Sequence, residues 1–430
     1  MRNKDIDINI PILARVEGEG ALDIKIRHDK ISRLHLCIYE PPRLFEKFLE
    51  GREPNEVIDA VARICGICPV AYQMSAVQAI EQIFAINAGE WVRRMRRLFY
   101  CGEWIESHSL HIHMLAAPDF LGYQSITEMA KDYPELVRRG MTIHSLGNAL
   151  LSLLGKRAVH PVGACVGGFF AAPPVSAVTA VLKQFKEHIH WAEELVAWAA
   201  NLPIPDNEQT FVSVALQHPT EYAMNEGRIL SDTGLNIAAA EFDDFFRETQ
   251  SPYSTALHCM LRGQPYLVGP LARMNLNHQL LPTKIKTLLK KYKLQFPSKN
   301  MFHSLLARSI EVYFAMLEAI TIMEDYALPK QSHVEFIPQA GVGYGCTEAP
   351  RGLLWHRYEL AANGLVTAAR IVPPTSQNQA RIEQDLTYSL EKLGLQHSSD
   401  ELRHYSEIVI RNYDPCISCS THFLKVNVER

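Results

Sequence analysis

Two cysteine pairs constrain this chain more than any other feature of it. Arg63-Ile64-Cys65-Gly66-Ile67-Cys68 stands near the start, and Asp414-Pro415-Cys416-Ile417-Ser418-Cys419-Ser420-Thr421-His422 near the end. Each pair spaces its thiols so that a short turn presents both sulfurs to one metal centre. Four thiolates make a soft site, suited to zinc, copper(I), nickel or iron and not to magnesium or calcium. Cys68 and Cys416 are 348 positions apart, whereas a structural zinc site usually closes within one small module, with about 15–20 residues between its pairs. A metal here must join the two ends of a whole folded protein.

That requirement favours one closed domain over residues 1–430, although length alone would suggest about two or three. With 47% hydrophobic and 21% charged residues the composition is that of an ordinary globular protein, and a net charge of −4 gives no reason to expect nucleic acid or an anionic membrane as partner. No stretch reaches the 18 or so apolar residues of a membrane span, and no apolar segment follows the charged start Met1-Arg2-Asn3-Lys4-Asp5. The chain itself is therefore expected to be soluble. Nine cysteines, an odd number, argue against a disulfide framework. Cys37, Cys101, Cys165, Cys259 and Cys346 read as small buried apolar residues.

Periodicity supplies the scaffold. Residues 12–40 read as a hairpin, with Leu22, Ile24 and Ile26 alternating, a turn at His28-Asp29-Lys30, and Leu34, Leu36 and Ile38 alternating again. Apolar residues at helical spacing mark three core helices: Met74 to Phe84, Val178 to Val196 after Pro173-Pro174, and Leu306 to Ile320. Residues 205–300 mix short strand-like and polar segments and carry no recognisable chemistry. The His-x-x-His and His-x-His spacings at His108, His111 and His113 invite a zinc reading, but neither pair has a further ligand evident beside it. Asn363-Gly364, flanked by strand-capable runs 353–360 and 365–372, predicts a hairpin in which position i pairs with about 727 − i. Such a hairpin brings Pro350-Arg351 beside Pro373-Pro374-Thr375.

Together the two cysteine segments resemble the R-x-C-G-x-C and D-P-C-x-x-C-x-x-H hallmarks of the large, catalytic subunit of nickel-iron hydrogenases. The resemblance spans essentially the whole chain and is greatest to the cytoplasmic NAD(P)-linked branch, including the sulfhydrogenases. It implies an α+β, predominantly helical fold with a central helix bundle and peripheral β-hairpins. It also implies that Cys65 and Cys416 are terminal ligands of nickel, with Cys68 and Cys419 bridging to an iron that carries one carbon monoxide and two cyanides.

Further motifs extend the likeness. Arg15-Val16-Glu17-Gly18 matches the R-x-E-G segment whose glutamate passes protons from a terminal cysteine, here Cys416 to Glu17. Arg351, in Ala349-Pro350-Arg351-Gly352, matches the arginine that overhangs the two metals, with Asp119 and Asp414 around it. Pro374 and Thr375 match the segment that hydrogen-bonds the cyanides. Glu46, the carbonyl of Ile371 and His422 match the ligands of a second cation, Mg2+ or Fe2+. The family commonly has histidine where this chain has Tyr72, so no imidazole role transfers to that position.

The resemblance further implies that residues 423–430 are an extension cut off by a maturation protease after nickel insertion. No other cysteine cluster suits an iron-sulfur relay and no G-x-G-x-x-G marks a nucleotide site. Electrons must therefore leave through an iron-sulfur small subunit, joined by flavin and iron-sulfur subunits that reduce NAD(P). Two readings compete with this one: the deazaflavin-reducing branch, and a non-catalytic scaffold holding structural zinc on the four thiolates.

Overall fold

The computed structural model describes residues 5–421; His422 and the extension 423–430 lie outside the described residues. Long helices make its centre. Gly89–Leu110 packs along Pro134–Gly155 and His303–Glu324, and Val175–Ala200 packs on His303–Glu324. Their apolar stripes meet in one large core that also receives Cys65, Cys68, Cys416 and Cys419. Among the described residues no helix is long and apolar enough to cross a membrane.

Small sheets sit around this bundle, as the α+β expectation requires. The first hairpin pairs Gly20–Arg27 with Lys30–Ile38 around His28 and Asp29, whose φ angles of 52° and 57° suit a tight turn between right-twisted strands. A strand not foreseen, Ile6–Ile10, completes a three-stranded sheet by pairing with Gly20–Arg27. The second hairpin pairs Gly352–Leu360 with Val366–Val372, and Trp355↔Val372 through Glu359↔Ala368 follow the 727 − i rule. Its connection is longer than a two-residue turn. Gly364 closes it with φ 81° and an N–H to the Ala361 carbonyl, and a bulge follows Glu359.

A third strand, Gly341–Ala349, joins that hairpin and lies against the helix Pro69–Ile83, which begins directly after Cys68. Glycines at every second position permit the contact. A Cβ on Gly343 or Gly345 would stand 2.0 Å from the Ala79 carbonyl or 1.9 Å from that of Ser75. Strand and helix therefore touch backbone to backbone, which only glycine allows. This fixes the cysteine turn against the sheet that carries Arg351.

Of the five isolated cysteines, Cys101, Cys165, Cys259 and Cys346 are buried as expected, and Cys37 is partly exposed. The three histidines do not converge. His108 meets Glu311 at 2.9 Å, His111 meets the Arg411 carbonyl at 2.8 Å, and His113 donates to the Ser109 carbonyl at 2.9 Å and stacks on Trp198. They straddle the end of Gly89–Leu110 and the π-helix His111–Ala116, where the wider coil turns successive side chains to different neighbours.

Burial holds the His113 imidazole neutral, pulling its pKa down to about 4. In the unfolded chain it titrates near 6.5, so unfolded protein binds more protons between those values. The stability this contributes is present above pH 6.5 and is lost as pH falls towards 4, to the extent of about 3 kcal/mol. Melting temperature is expected to fall across this window and to fall less steeply in His113→Phe; equal slopes would refute the assignment.

Candidate metal centre

The helix Pro69–Ile83 starts with proline in its first turn and Cys68 at its N-cap, so the turn Cys65–Cys68 is held at a helix mouth. Glu103, buried in the middle of Gly89–Leu110, clamps that mouth. Its carboxylate accepts the N–H groups of Val70 at 2.5 Å and Ala71 at 3.1 Å. Within the turn, Cys65 Sγ accepts N–H from Ile67 and Cys68, both at 3.3 Å.

The C-terminal pair arrives from the far side. Asp414 adopts φ 54°, which reverses the chain after Ser399–Asn412 and directs Cys416 inward. Cys416 bridges in parallel to Glu17, Ile417 N–H donates to the Glu17 carbonyl at 3.0 Å, and Thr375 Oγ1 accepts the Cys416 N–H at 3.0 Å. Arg43 locks both segments together, donating to the Ile64 carbonyl at 2.7 Å and to that of Ser418.

All four sulfurs consequently lie within 4.8 Å of one another, and all four side chains are buried. Cys65 and Cys416 are 3.5 Å apart, Cys68 and Cys419 3.8 Å, and Cys416 and Cys419 2.7 Å, too far for a disulfide near 2.05 Å. Hydrogen bonds from the other thiols, Cys416 first, together with the Arg351 charge hold Cys65 well below the usual thiol range. Burial and the neighbouring thiols push Cys416 well up.

The lining of the site suits a metal group. Arg351 donates to the Asp414 carbonyl at 2.7 Å and to its carboxylate at 3.2 Å, yet its Nη1 is buried with no partner. Burial opposes the guanidinium charge, but Asp414 and the thiols Cys416, Cys68 and Cys65 raise its pKa well above normal. The phenol of Tyr72, also buried, faces the thiols; burial and the thiols of Cys419 and Cys68 push its pKa well up. An orphan Arg351 donor beside four soft ligands calls for an acceptor that the protein itself does not supply.

A sequence profile described as nickel-dependent hydrogenase matches residues 43–172 and 230–422, well over half of the chain. The chain belongs to the nickel-dependent hydrogenase family. It is an oxidoreductase, a catalytic large subunit of the hydrogenase type. The alpha subunit of sulfhydrogenase 2 from Pyrococcus furiosus is 32% identical over 421 residues, covering 97% of this chain and all of that one. The beta subunit of the NAD-reducing hydrogenase HoxS from Cupriavidus necator is 24% identical over 472 residues, covering 96% of this chain and 94% of the relative. A crystal structure of an NAD+-reducing [NiFe]-hydrogenase in the H2-reduced state superposes with a TM-score of 0.88 at 25% identity, covering 98% of this chain and all of that one.

Other residues singled out in the hydrogenase sequence fall as follows. Cys416 Sγ stands 3.0 Å from Glu17 Oε2, which also accepts the Ser418 N–H at 3.2 Å. Pro374 opens the helix Pro374–Leu393, and Thr375 follows it against Cys416. Half-buried Glu46 accepts the Ile371 N–H at 2.8 Å, so the side chain and the strand named for a second cation are neighbours; His422 lies outside the described residues. Asp119 pairs with Arg15 and with Arg411, at 2.8 and 2.9 Å for Arg411, whereas Arg351 takes Asp414 as its carboxylate. Glu103 and Arg43 receive no role from the sequence, because each acts on backbone of distant segments, Glu103 on Val70 and Ala71 and Arg43 on Ile64 and Ser418. Neither carries a local signal.

Proposed function

We propose that this hydrogenase subunit catalyses the reversible heterolytic cleavage of dihydrogen to protons and electrons at a nickel-iron centre, in a cytoplasmic complex that exchanges electrons with NAD(P). The observation that carries this reading is the Glu17 carboxylate 3.0 Å from Cys416 Sγ inside a buried four-thiol site. Cys65 and Cys416 would hold nickel, and Cys68 and Cys419 would hold it together with an iron that would carry one carbonyl and two cyanides. Bound there, the metal pair supplies the Lewis acidity that polarises dihydrogen.

The chain's own groups do the rest. Cys416 takes the proton at Sγ and hands it to Glu17 Oε2 across a hydrogen-bond distance. Arg351, neutralised in part by Asp414, keeps a fixed positive charge and an unused N–H over the thiols, where exclusion of water makes both effective. Asp119 holds Arg15 and Arg411, and Arg411 bonds the Ala14 carbonyl, so it braces the strand entry that carries Glu17. Thr375 fixes Cys416 through its N–H, and Pro374 opens the helix that carries Thr375. Glu46, the Ile371 carbonyl and His422 would hold the second cation, Mg2+ or Fe2+.

Electrons leave through an iron-sulfur small subunit and flavin-containing subunits. The sulfhydrogenase and NAD-reducing relatives support that assembly, and so does one exposed face. Gly66, in the cysteine turn, is exposed beside Val159 and His160, and other loops expose Phe170 at 56%, Val334 at 39% and Ile337 at 80%. A partner that covers this apolar face comes within reach of Cys65. A maturation protease removes residues 423–430. The comparisons favour neither the deazaflavin-reducing alternative nor the zinc-thiolate scaffold.

An infrared spectrum of the anaerobically purified complex tests the reading, because metal-bound carbon monoxide and cyanide absorb where protein and water are nearly silent. One carbonyl and two cyanide bands are expected, together with nickel and an intact mass ending at His422. Zinc without these bands would overturn it, and nickel-loaded active chain extending to Arg430 would overturn the trimming step.

A further inference from the structure

We propose that two buried arginines, Arg273 and Arg308, form a frame that positions the Arg351–Asp414 pair over the thiols. The inference rests on the role given to Arg351 under Proposed function. Neither arginine touches the cysteines; both act through backbone carbonyls.

Arg273, on the helix Pro270–Asn277, is fully buried and uses every donor of its guanidinium. Nε and Nη2 bind the two oxygens of Glu311 at 2.8 and 2.7 Å, and Nη1 binds Glu348 at 3.0 Å. The remaining two N–H groups go to the carbonyls of Ala349 at 2.8 Å and Pro350 at 2.9 Å, the two residues before Arg351. Beneath it the ring of Trp104 lies 4.4 Å away and donates its N–H to the Glu348 carbonyl at 3.0 Å.

Arg308 does the same for the other partner. It stands one turn before Glu311 on His303–Glu324 and donates to the carbonyls of Asn412 at 2.9 Å and Tyr413 at 3.1 Å, the two residues before Asp414. Its other hydrogen bond is to the Ser304 hydroxyl at 2.7 Å and its Nε has no partner, so among the described residues no carboxylate pairs with this buried cation. Such an arrangement is a poor stabilising device, since apolar side chains of similar volume are usually at least as stable. It makes sense as a device for holding backbone.

The held segments need it. Asp414 is in the left-handed region at φ 54° and Gly352, after Arg351, is at φ 135°. Turns of this kind do not fix themselves by regular hydrogen bonding. Each is gripped by a planar fork from a separate helix, and Glu311, which binds Arg273, stands one turn after Arg308 on the same helix. Lysine presents one point charge and cannot hold two carbonyls and a carboxylate in one plane.

Hydrogen-oxidation kinetics, nickel content and the infrared carbonyl band of the purified complex test the frame in Arg273→Lys, Arg308→Lys, Arg351→Lys and the double variants with Arg351→Lys. The frame variants are expected to keep nickel, shift the carbonyl band and lower kcat roughly 10- to 100-fold, as misplacement of a reacting group does. In the Arg351→Lys background they are expected to lower kcat no further, because the residues act as one unit. Losses that multiply would overturn the frame, as would wild-type kcat and band position in both single variants. Should Arg273→Lys fail to assemble, Arg308→Lys carries the test; loss of nickel in both would make the arginines plain structural parts and also overturn it. If Arg351→Lys alone leaves turnover unchanged, the role of Arg351 fails instead. The frame then stands or falls on whether the band shift disappears in the Arg351→Lys background.

Discussion

Glu17→Gln is expected to lower hydrogen turnover by roughly 10²- to 10⁴-fold, the usual contribution of a positioned proton-transfer group, while nickel content and melting temperature stay near wild type. Glutamine keeps the size of the side chain, and its carbonyl oxygen can still accept the Ser418 N–H that now bonds Oε2 at 3.2 Å. The Glu17 backbone, which receives the Ile417 N–H and aligns Cys416, is untouched. What is lost is a group able to take a proton from Cys416 Sγ across 3.0 Å and release it again. An amide cannot do so near neutral pH. Turnover of hydrogen with a redox dye and exchange of deuterium gas with solvent protons should fall together, since both need the proton to leave. Turnover within a few-fold of wild type would remove Glu17 from the path. Loss of nickel would instead make it a structural strut of the C-terminal segment.

The sequence was most informative where local chemistry dictates long-range geometry. Cys65, Cys68, Cys416 and Cys419 could only be reconciled by bringing the two ends together, and they do converge. The hairpin rule around Asn363-Gly364 reproduced the register from Trp355↔Val372 to Glu359↔Ala368, because alternation and turn position leave little freedom. It failed only at the tip, where the bulge after Glu359 accommodates a longer turn. The strand Ile6–Ile10 carried the same alternation in Ile6, Ile8 and Ile10 and was simply not read. Other parts had no local signal. Glycines 341, 343 and 345 make sense only against the backbone of Pro69–Ile83, and Asp119 finds Arg411 292 positions away. Arg273, in a stretch that read as chemically quiet, turns out to be the best-satisfied cation among the groups around the site. Buried charge is invisible in sequence because its partners come from other elements.

That network also sets the largest stability effect. Glu311 is fully buried and binds Arg273 with both oxygens, His108 at 2.9 Å and the Tyr222 hydroxyl at 2.8 Å. Burial alone would raise its pKa, but Arg273 and then His108 hold it down to about 2. Glu348, the second carboxylate on Arg273, goes the other way. Burial pushes it up to about 7, with Arg273 only partly offsetting this. At neutral pH the guanidinium is therefore neutralised chiefly by Glu311. Glu311→Gln leaves a buried cation facing a carboxyl that is only partly ionised, and cutting one partner from a buried pair costs about 3–5 kcal/mol. Part of that loss is recovered because Glu348, now the sole counterion, is drawn into ionisation. Because the folded pKa of Glu311 lies below its unfolded value of about 4.3, its contribution is complete above that value and fades as pH falls towards 2. The variant should thus melt several degrees below wild type at pH 7, with the gap closing only in strong acid. Equal melting temperatures at pH 7 would mean that Glu348 already carries the charge, and that Glu311 is not the anchor of Arg273.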